Sequence, residues 1–191
     1  MPTVFSHPAV PLALRVGLGR EIVSPRLLLA GMLASVLPDL DVMTLRLGME
    51  YPQALGHRGF SHSLLFAALV ALAGAAAHRA LHCRFGRAVG FLFVSTASHG
   101  LLDAFTNGGI GIAFLWPWSE VRSFAPEALR VIEVSPISVS RFLSWRGVEV
   151  LFSELCWIWL PAAAACLVVA GARRRGHGGP RQSPRRERTS T

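Results

Sequence analysis

The sequence predicts an all-α fold: a small polytopic membrane helix bundle of about four to five apolar helical segments. Three observations carry that expectation. Of 191 residues, 52% are hydrophobic and 16% charged, with a mean hydropathy of +0.45, whereas soluble domains carry roughly 25% charged residues. Apolar runs recur along the chain and are separated by stretches that hold arginine. The basic residues are all arginine, nineteen of them, and seven follow Ala172.

Each segment has its own signature. Pro8 to Gly19 is a weak apolar segment interrupted by Pro11 and Arg15. Leu27 to Leu37 is a half-length helix, closed by Pro38 because proline cannot continue the backbone ladder. Ser63 to Ala77 is dense in Leu, Phe and Ala, and spans a bilayer if continued through His78 and Arg79, whose side chains can reach the interface. Ala88 to Phe105 and Val150 to Ala172 read as membrane helices. The second is long enough for a hydrocarbon core of roughly 30 Å and is apolar except for Ser153 and Glu154. The shorter pieces are expected inside the bundle rather than against lipid. One membrane-embedded domain therefore covers 1–172, with a loop over 107–149, and a basic tail, expected to be disordered, covers 173–191.

Cytoplasmic loops carry an excess of arginine, so the tail with Arg173, Arg174, Arg175, Arg181, Arg185, Arg186 and Arg188 is expected in the cytoplasm. Threading backwards puts the 107–149 loop outside, with four arginines against four glutamates, and the loop holding Arg79, Arg84 and Arg87 inside. Arg15, Arg20 and Arg26 also fall inside. The formal charge of +8 is largely a property of the tail. Basic residues interleaved with aromatics on a folded face are missing, so no nucleic-acid partner is expected; the lipid bilayer is. Cys83, Cys156 and Cys166 form no C-x-x-C pair, which argues against a disulfide framework or a thiolate metal site. No cleavable signal peptide is expected, since Pro8, Pro11 and Arg15 break the first apolar run.

Against this apolar background, seven residues stand in four clusters: His7; Asp39 and Asp41; His57 and His62; His99 and Asp103. Such side chains are costly in or beside a bilayer unless paired, hydrated or bound to metal. The arginine count, which uses no ligand information, places all four clusters at the extracytoplasmic rim. His99 and Asp103, spaced i, i+4, project from one helical face, and suit either a metal or a polar clasp between helices. In H-R-G-F-S-H, His57 belongs to a loop and Ser61 caps a helix that starts at His62; an interfacial loop with Arg58 on lipid phosphate is the plainer alternative. In L-P-D-L-D an extended backbone would turn Asp39 and Asp41 to one side. The pair suits a hard ion or a general base, or else a polar turn. His7 is the least marked, and His78, His82 and His177 fall on the cytoplasmic side.

In their order these residues resemble the YdjM-like family of inner-membrane proteins described as membrane-bound metal-dependent hydrolases. The shared pattern is a leading histidine (His7), P-D-x-D (Pro38, Asp39, Asp41), H-R-G-x-S-H-S (His57 to Ser63), and S-H-x-x-x-D followed by T-N (Ser98 to Asn107). An L-x-P segment (Leu115, Trp116, Pro117) adds to it, and Ser6 departs from the expected Thr or Ala. The resemblance covers about residues 1 to 120 and implies an inner-membrane location and a shared site that includes His7.

The function expected is metal-dependent hydrolysis: metal-activated water attacks an ester or phosphoester, a phospholipid headgroup being the natural substrate at the outer face. A thiolate-free His/Asp set favours zinc or manganese, as one or two ions. Asp39 or Asp41 would relay the proton, Arg58 would meet a substrate phosphate, and Thr106 or Asn107 would position the leaving group. Trp116 and Trp118 would anchor the loop at the interface. Two other classes fit the same residues: a structural metal site without turnover, and a metal-ion binding or transport element. Ser95, Thr96 and Glu154 make a thin polar pathway for transport.

Overall fold

A computed structural model describes residues 1–43 and 56–177. The tail arginines beyond residue 177 therefore lie outside the described residues. The fold is helical, and among the described residues no β-strand forms.

Helix α1 (Ala9–Leu18) follows a turned N-terminal segment, and α2 (Pro25–Val36) starts at Ser24, whose hydroxyl accepts the Leu27 N–H at 3.0 Å. Pro38 is accommodated by a change of helix type: Leu37–Asp41 continues as a 3₁₀ turn. A second 3₁₀ turn, Phe60–His62, leads into α3 (Leu64–Ala75). The cap of α3 is Ser63, which accepts the Phe66 N–H at 3.1 Å. The expected cap, Ser61, is instead inside the 3₁₀ turn, its hydroxyl turned to Asp41. Helix α4 (Phe85–Ala104) runs 20 residues. After an extended loop and the short α5 (Val139–Phe142), α6 (Trp145–Glu154) passes through a π-helical turn, Leu155–Trp159, into α7 (Leu160–His177).

Helices α2 and α3 make the main packing against α4. Val23, Leu27, Ala34, Ala71, Ala75, Ala88, Phe91 and Leu92 form the main buried apolar cluster. Small residues permit the approach: a Cβ added at Gly31 would meet the Phe91 ring at 2.4 Å, the close packing typical of helices in lipid. A smaller cluster of Ala9, Ile132 and Ile158 joins α1, the loop and the long helix.

Among the described residues one continuous stretch, Trp145–Arg173, is long and apolar enough to cross a membrane, and Ala9–Leu18 and Leu64–Ala75 are shorter apolar helices. Two such helices were expected. Helix α4 has the length, but its buried face carries Ser95, Thr96, Ser98, His99 and Asp103. The 107–149 loop is tied down by isolated bridges, Thr106 to Ile132 and Ile112 to Ser123.

Hydrogen bonds show which element ends lie together. Ser24 Oγ donates to Leu81 O at 2.5 Å, Arg26 to Ala80 O at 3.1 Å, and Arg173 to Val16 O at 3.1 Å. The start of α2, the turn after α3 and the ends of α1 and α7 therefore share one end of the bundle. The segment before α1, the two 3₁₀ turns and the end of α4 share the other.

Candidate metal centre

All seven candidate ligands meet at that second end, brought by the turn before α1, the two 3₁₀ turns with the turn leading into the second, and the last turns of α4. The 3₁₀ geometry decides the aspartates. With about three residues per turn, positions i and i+2 point to different sides, so Asp39 and Asp41 do not face one way as an extended segment would have placed them. Asp39 turns to His7 and His99, with Oδ2 3.7 Å from His7 Nε2 and Oδ1 3.3 Å from His99 Nε2. Asp41 turns to the other pair: Oδ1 accepts from His57 Nδ1 at 2.5 Å, and Oδ2 lies 3.1 Å from His62 Nδ1. The second turn and α4 complete the site. His62 Nε2 is 3.1 Å from His99 Nε2 and 3.4 Å from Asp103 Oδ2, and His7 Nε2 is 3.9 Å from Asp103 Oδ1. His7 and His99 stack with centroids 3.7 Å apart.

Among the described residues the candidate ligand atoms fall into three groups that could hold an ion: His7, His99 and Asp103; Asp39, His62 and His99; Asp41, His57 and His62. His99 and His62 are each shared by two groups, so the site is continuous. His7, His99 and Asp103 are fully buried, and Asp39 is the least enclosed of the set.

Hydrogen bonding fixes the tautomers. A carbonyl only accepts, so the 2.8 Å contact to Ser35 O puts the His99 proton on Nδ1 and leaves the Nε2 lone pair facing inward. Asp41 does the same for His57 from its carboxylate side. A ligating imidazole characteristically gives its other N–H to a carbonyl or carboxylate, and both arrangements match that pattern.

A test of fit for a cation lies in what these atoms lack. Both ring nitrogens of His7 and both carboxylate oxygens of Asp39 and of Asp103 are buried without a hydrogen-bond partner. Buried polar atoms are ordinarily satisfied, and six unsatisfied ligand-type atoms in one cluster suit a divalent ion. Burial pushes the His7 pKa down to about 3, with neighbouring His99 acting the same way, so its ring is neutral and one of its nitrogens offers a lone pair to a metal. Burial opposes a charged His62, but the Asp103 and Asp41 carboxylates outweigh it and raise its pKa to about 9. Burial likewise opposes ionisation of Asp39 and Asp41. The adjacent imidazoles, His99 for Asp39 and both His57 and His62 for Asp41, hold them below the usual carboxylate range.

Among the described residues Arg58 is the largest fully buried side chain, and it adopts a left-handed backbone, φ 65°. Its Nε is 3.3 Å from Asp103 Oδ2, while its other nitrogens donate to Gly108 O at 2.8 Å and Thr106 Oγ1 at 3.2 Å. Thr106 Oγ1 also donates to Asp103 O at 2.7 Å, and Asn107 Oδ1 accepts the Val134 N–H at 3.1 Å. Trp116 packs edge-on against Phe60 at 4.9 Å, whereas Trp118 is 78% exposed. Three contributors escaped the sequence reading. Ser35 acts through a backbone carbonyl, which no side-chain motif reveals. Ser61 bonds Asp41, and Arg122 Nη1 donates to Arg58 O at 3.0 Å. Ser61 sits within the H-R-G-F-S-H motif, and that position was its one available signal.

A family model described as "YdjM inner membrane protein" matches residues 1–176. The chain is 47% identical over 162 residues to "Inner membrane protein YbcI" of Escherichia coli (strain K12), covering 84% of this chain and 92% of that protein. No solved structure matches.

Proposed function

The chain belongs to the family of YdjM inner membrane proteins, and from that premise we propose that it is a membrane-embedded, metal-dependent hydrolase of esters or phosphoesters. The observation that carries the reading is the buried cluster in which six ligand atoms of His7, Asp39 and Asp103 have no hydrogen-bond partner. Beside them the His99 Nε2 lone pair is aimed inward.

The ligands are His7, Asp39, His57, His62, His99 and Asp103, with Asp41 joining or orienting them, and the thiolate-free set favours zinc or manganese. Groups that share His62 and His99 accept one ion or two adjacent ones. When bound, such an ion supplies Lewis acidity and makes water nucleophilic near neutral pH. The chain does the rest. Asp41 orients His57 and His62. Asp39, least enclosed, takes the proton as base. Arg58, buried behind Asp103, keeps that carboxylate aimed; in this reading it reaches a substrate phosphate only by leaving Thr106 and Gly108.

Access favours turnover. A cavity of about 360 Å³ between the N-terminal segment and the 135–142 loop has Asp39 in its wall, with Phe5, Leu40, Ile137 and Phe142 around it. That apolar lining beside a polar site suits a lipid ester. In the bilayer, α4 spans together with Trp145–Arg173, and the short helices pack on them. The C-terminus is cytoplasmic, the 107–149 loop external, and the metal centre at the extracytoplasmic rim.

The complete burial of His7, His99 and Asp103 favours a second reading, a closed structural site. Release of phosphate or fatty acid from labelled phospholipids separates the two. Metal-stimulated turnover that disappears in Asp39→Ala supports the hydrolase; no turnover on any ester class, with unfolding on chelation, supports the structural site.

A further inference from the structure

The long apolar helix contributes no candidate ligand, yet it carries one buried acid. Glu154, the last residue of α6, is 1% exposed and stands where the helix passes into the π-helical turn, a distortion frequent at functional sites. Its Oε2 accepts from Thr3 Oγ1 and Ser6 Oγ, both at 2.6 Å, and its Oε1 from the Thr3 backbone N–H. Trp159 Nε1 donates to the same Ser6 Oγ at 3.1 Å. A carboxylate in an apolar helix is costly without such partners, and these donors all come from the turn that delivers His7.

His7 needs that help. Neither ring nitrogen has a hydrogen-bond partner, so apart from the stack on His99 the ring is placed by its backbone. That backbone is a turn, with Ser6 N–H on Thr3 O at 3.0 Å and Ala9 N–H on Ser6 O at 3.1 Å. Glu154 and Trp159 grip both ends of it. We propose that Glu154 is a positioning residue for the metal centre: it clamps the Thr3–Ser6 turn to the membrane helix and thereby sets His7 among the ligands. The inference rests on the metal reading above. It gives the C-terminal part of the chain, which holds no ligand, a share in the site.

The test is Zn²⁺ or Mn²⁺ affinity of the full chain in detergent, measured by competition with a chromophoric chelator. Glu154→Leu, which leaves three donors unanswered, weakens binding about 10- to 100-fold, the usual cost of losing an outer partner of a ligand. Glu154→Gln still accepts from the Thr3 N–H and donates to the two hydroxyls, so it stays within a few-fold of wild type. In a His7→Ala background, Glu154→Leu adds no further loss, because the clamp then has no ligand to place. Thr3→Val, made outside the helix, repeats the cycle should Glu154→Leu fail to fold. Undiminished affinity in Thr3→Val and in any folded Glu154→Leu, or the same loss with and without His7, overturns the inference while leaving the metal site standing. A wild-type chain that binds neither ion overturns the metal reading, and this inference with it.

Discussion

At the scale of single residues, the site separates groups placed where they could hold an ion from groups that orient them. His99 has its proton committed to Ser35 O, and the Asp103 oxygens are buried without hydrogen bonds, so each is expected to be indispensable: His99→Ala and Asp103→Ala abolish binding in a zinc competition titration. Asp41 is engaged by His57, His62, Ser61 and the Arg58 N–H. Asp41→Asn therefore weakens affinity about 10- to 100-fold but preserves stoichiometry; an unchanged affinity would show that Asp41 orients nothing. The seven polar residues were legible because an apolar chain makes them conspicuous. Their division of labour was not, since it depends on the 3₁₀ turn that sends Asp39 and Asp41 apart. Arg58 was read as a group for substrate phosphate, but its positive φ and its partners Asp103, Thr106 and Gly108 turn it inward.

At the scale of elements, helix extents followed from composition, and the short apolar pieces formed helices near their expected bounds. The connections were less legible. Ser61 was expected to cap α3, but an extra 3₁₀ turn moves the cap to Ser63, and two serines in one motif offer no sequence signal to choose between them. Close approach at glycine is a further element-level property. A Cβ at Gly100 would stand 3.0 Å from His62 O and 3.3 Å from the Phe114 ring, so α4 touches the second turn directly. Gly100→Val is expected to push His62 outward and weaken metal binding at least tenfold, with helicity by circular dichroism retained; wild-type affinity would deny that this contact sets the site. At the opposite end, Ser24→Ala removes the α2 cap and costs about 1 kcal/mol. It lowers the thermal midpoint and leaves metal affinity unaltered.

At the scale of the molecule, polarity is distributed inside out. The candidate ligands are buried apart from the half-buried Asp39, while Leu29, Leu33, Leu72, Leu101, Leu167 and Val168 are exposed, as expected of a surface that faces lipid rather than water. Arginine counting gathers the four clusters onto one expected face of the membrane; in the fold they meet at the end of the bundle opposite Arg26 and Arg173. A reporter fused after Ala172 is accordingly expected in the cytoplasm; an external reporter would invert the assignment of the metal centre to the outer rim. An ion held only by the folded chain would stabilise it, so on the proposed reading its removal should destabilise the whole bundle. A chelator is predicted to lower the thermal midpoint of wild type and to leave Asp103→Ala unmoved.

The central claim, one shared centre built from all four clusters, is met most directly by elemental analysis of the purified protein beside His62→Ala and Asp103→Ala. A shared centre gives one or two zinc or manganese ions in the wild-type chain and their loss from both variants, which lie on different elements. Full metal content in both variants would contradict it.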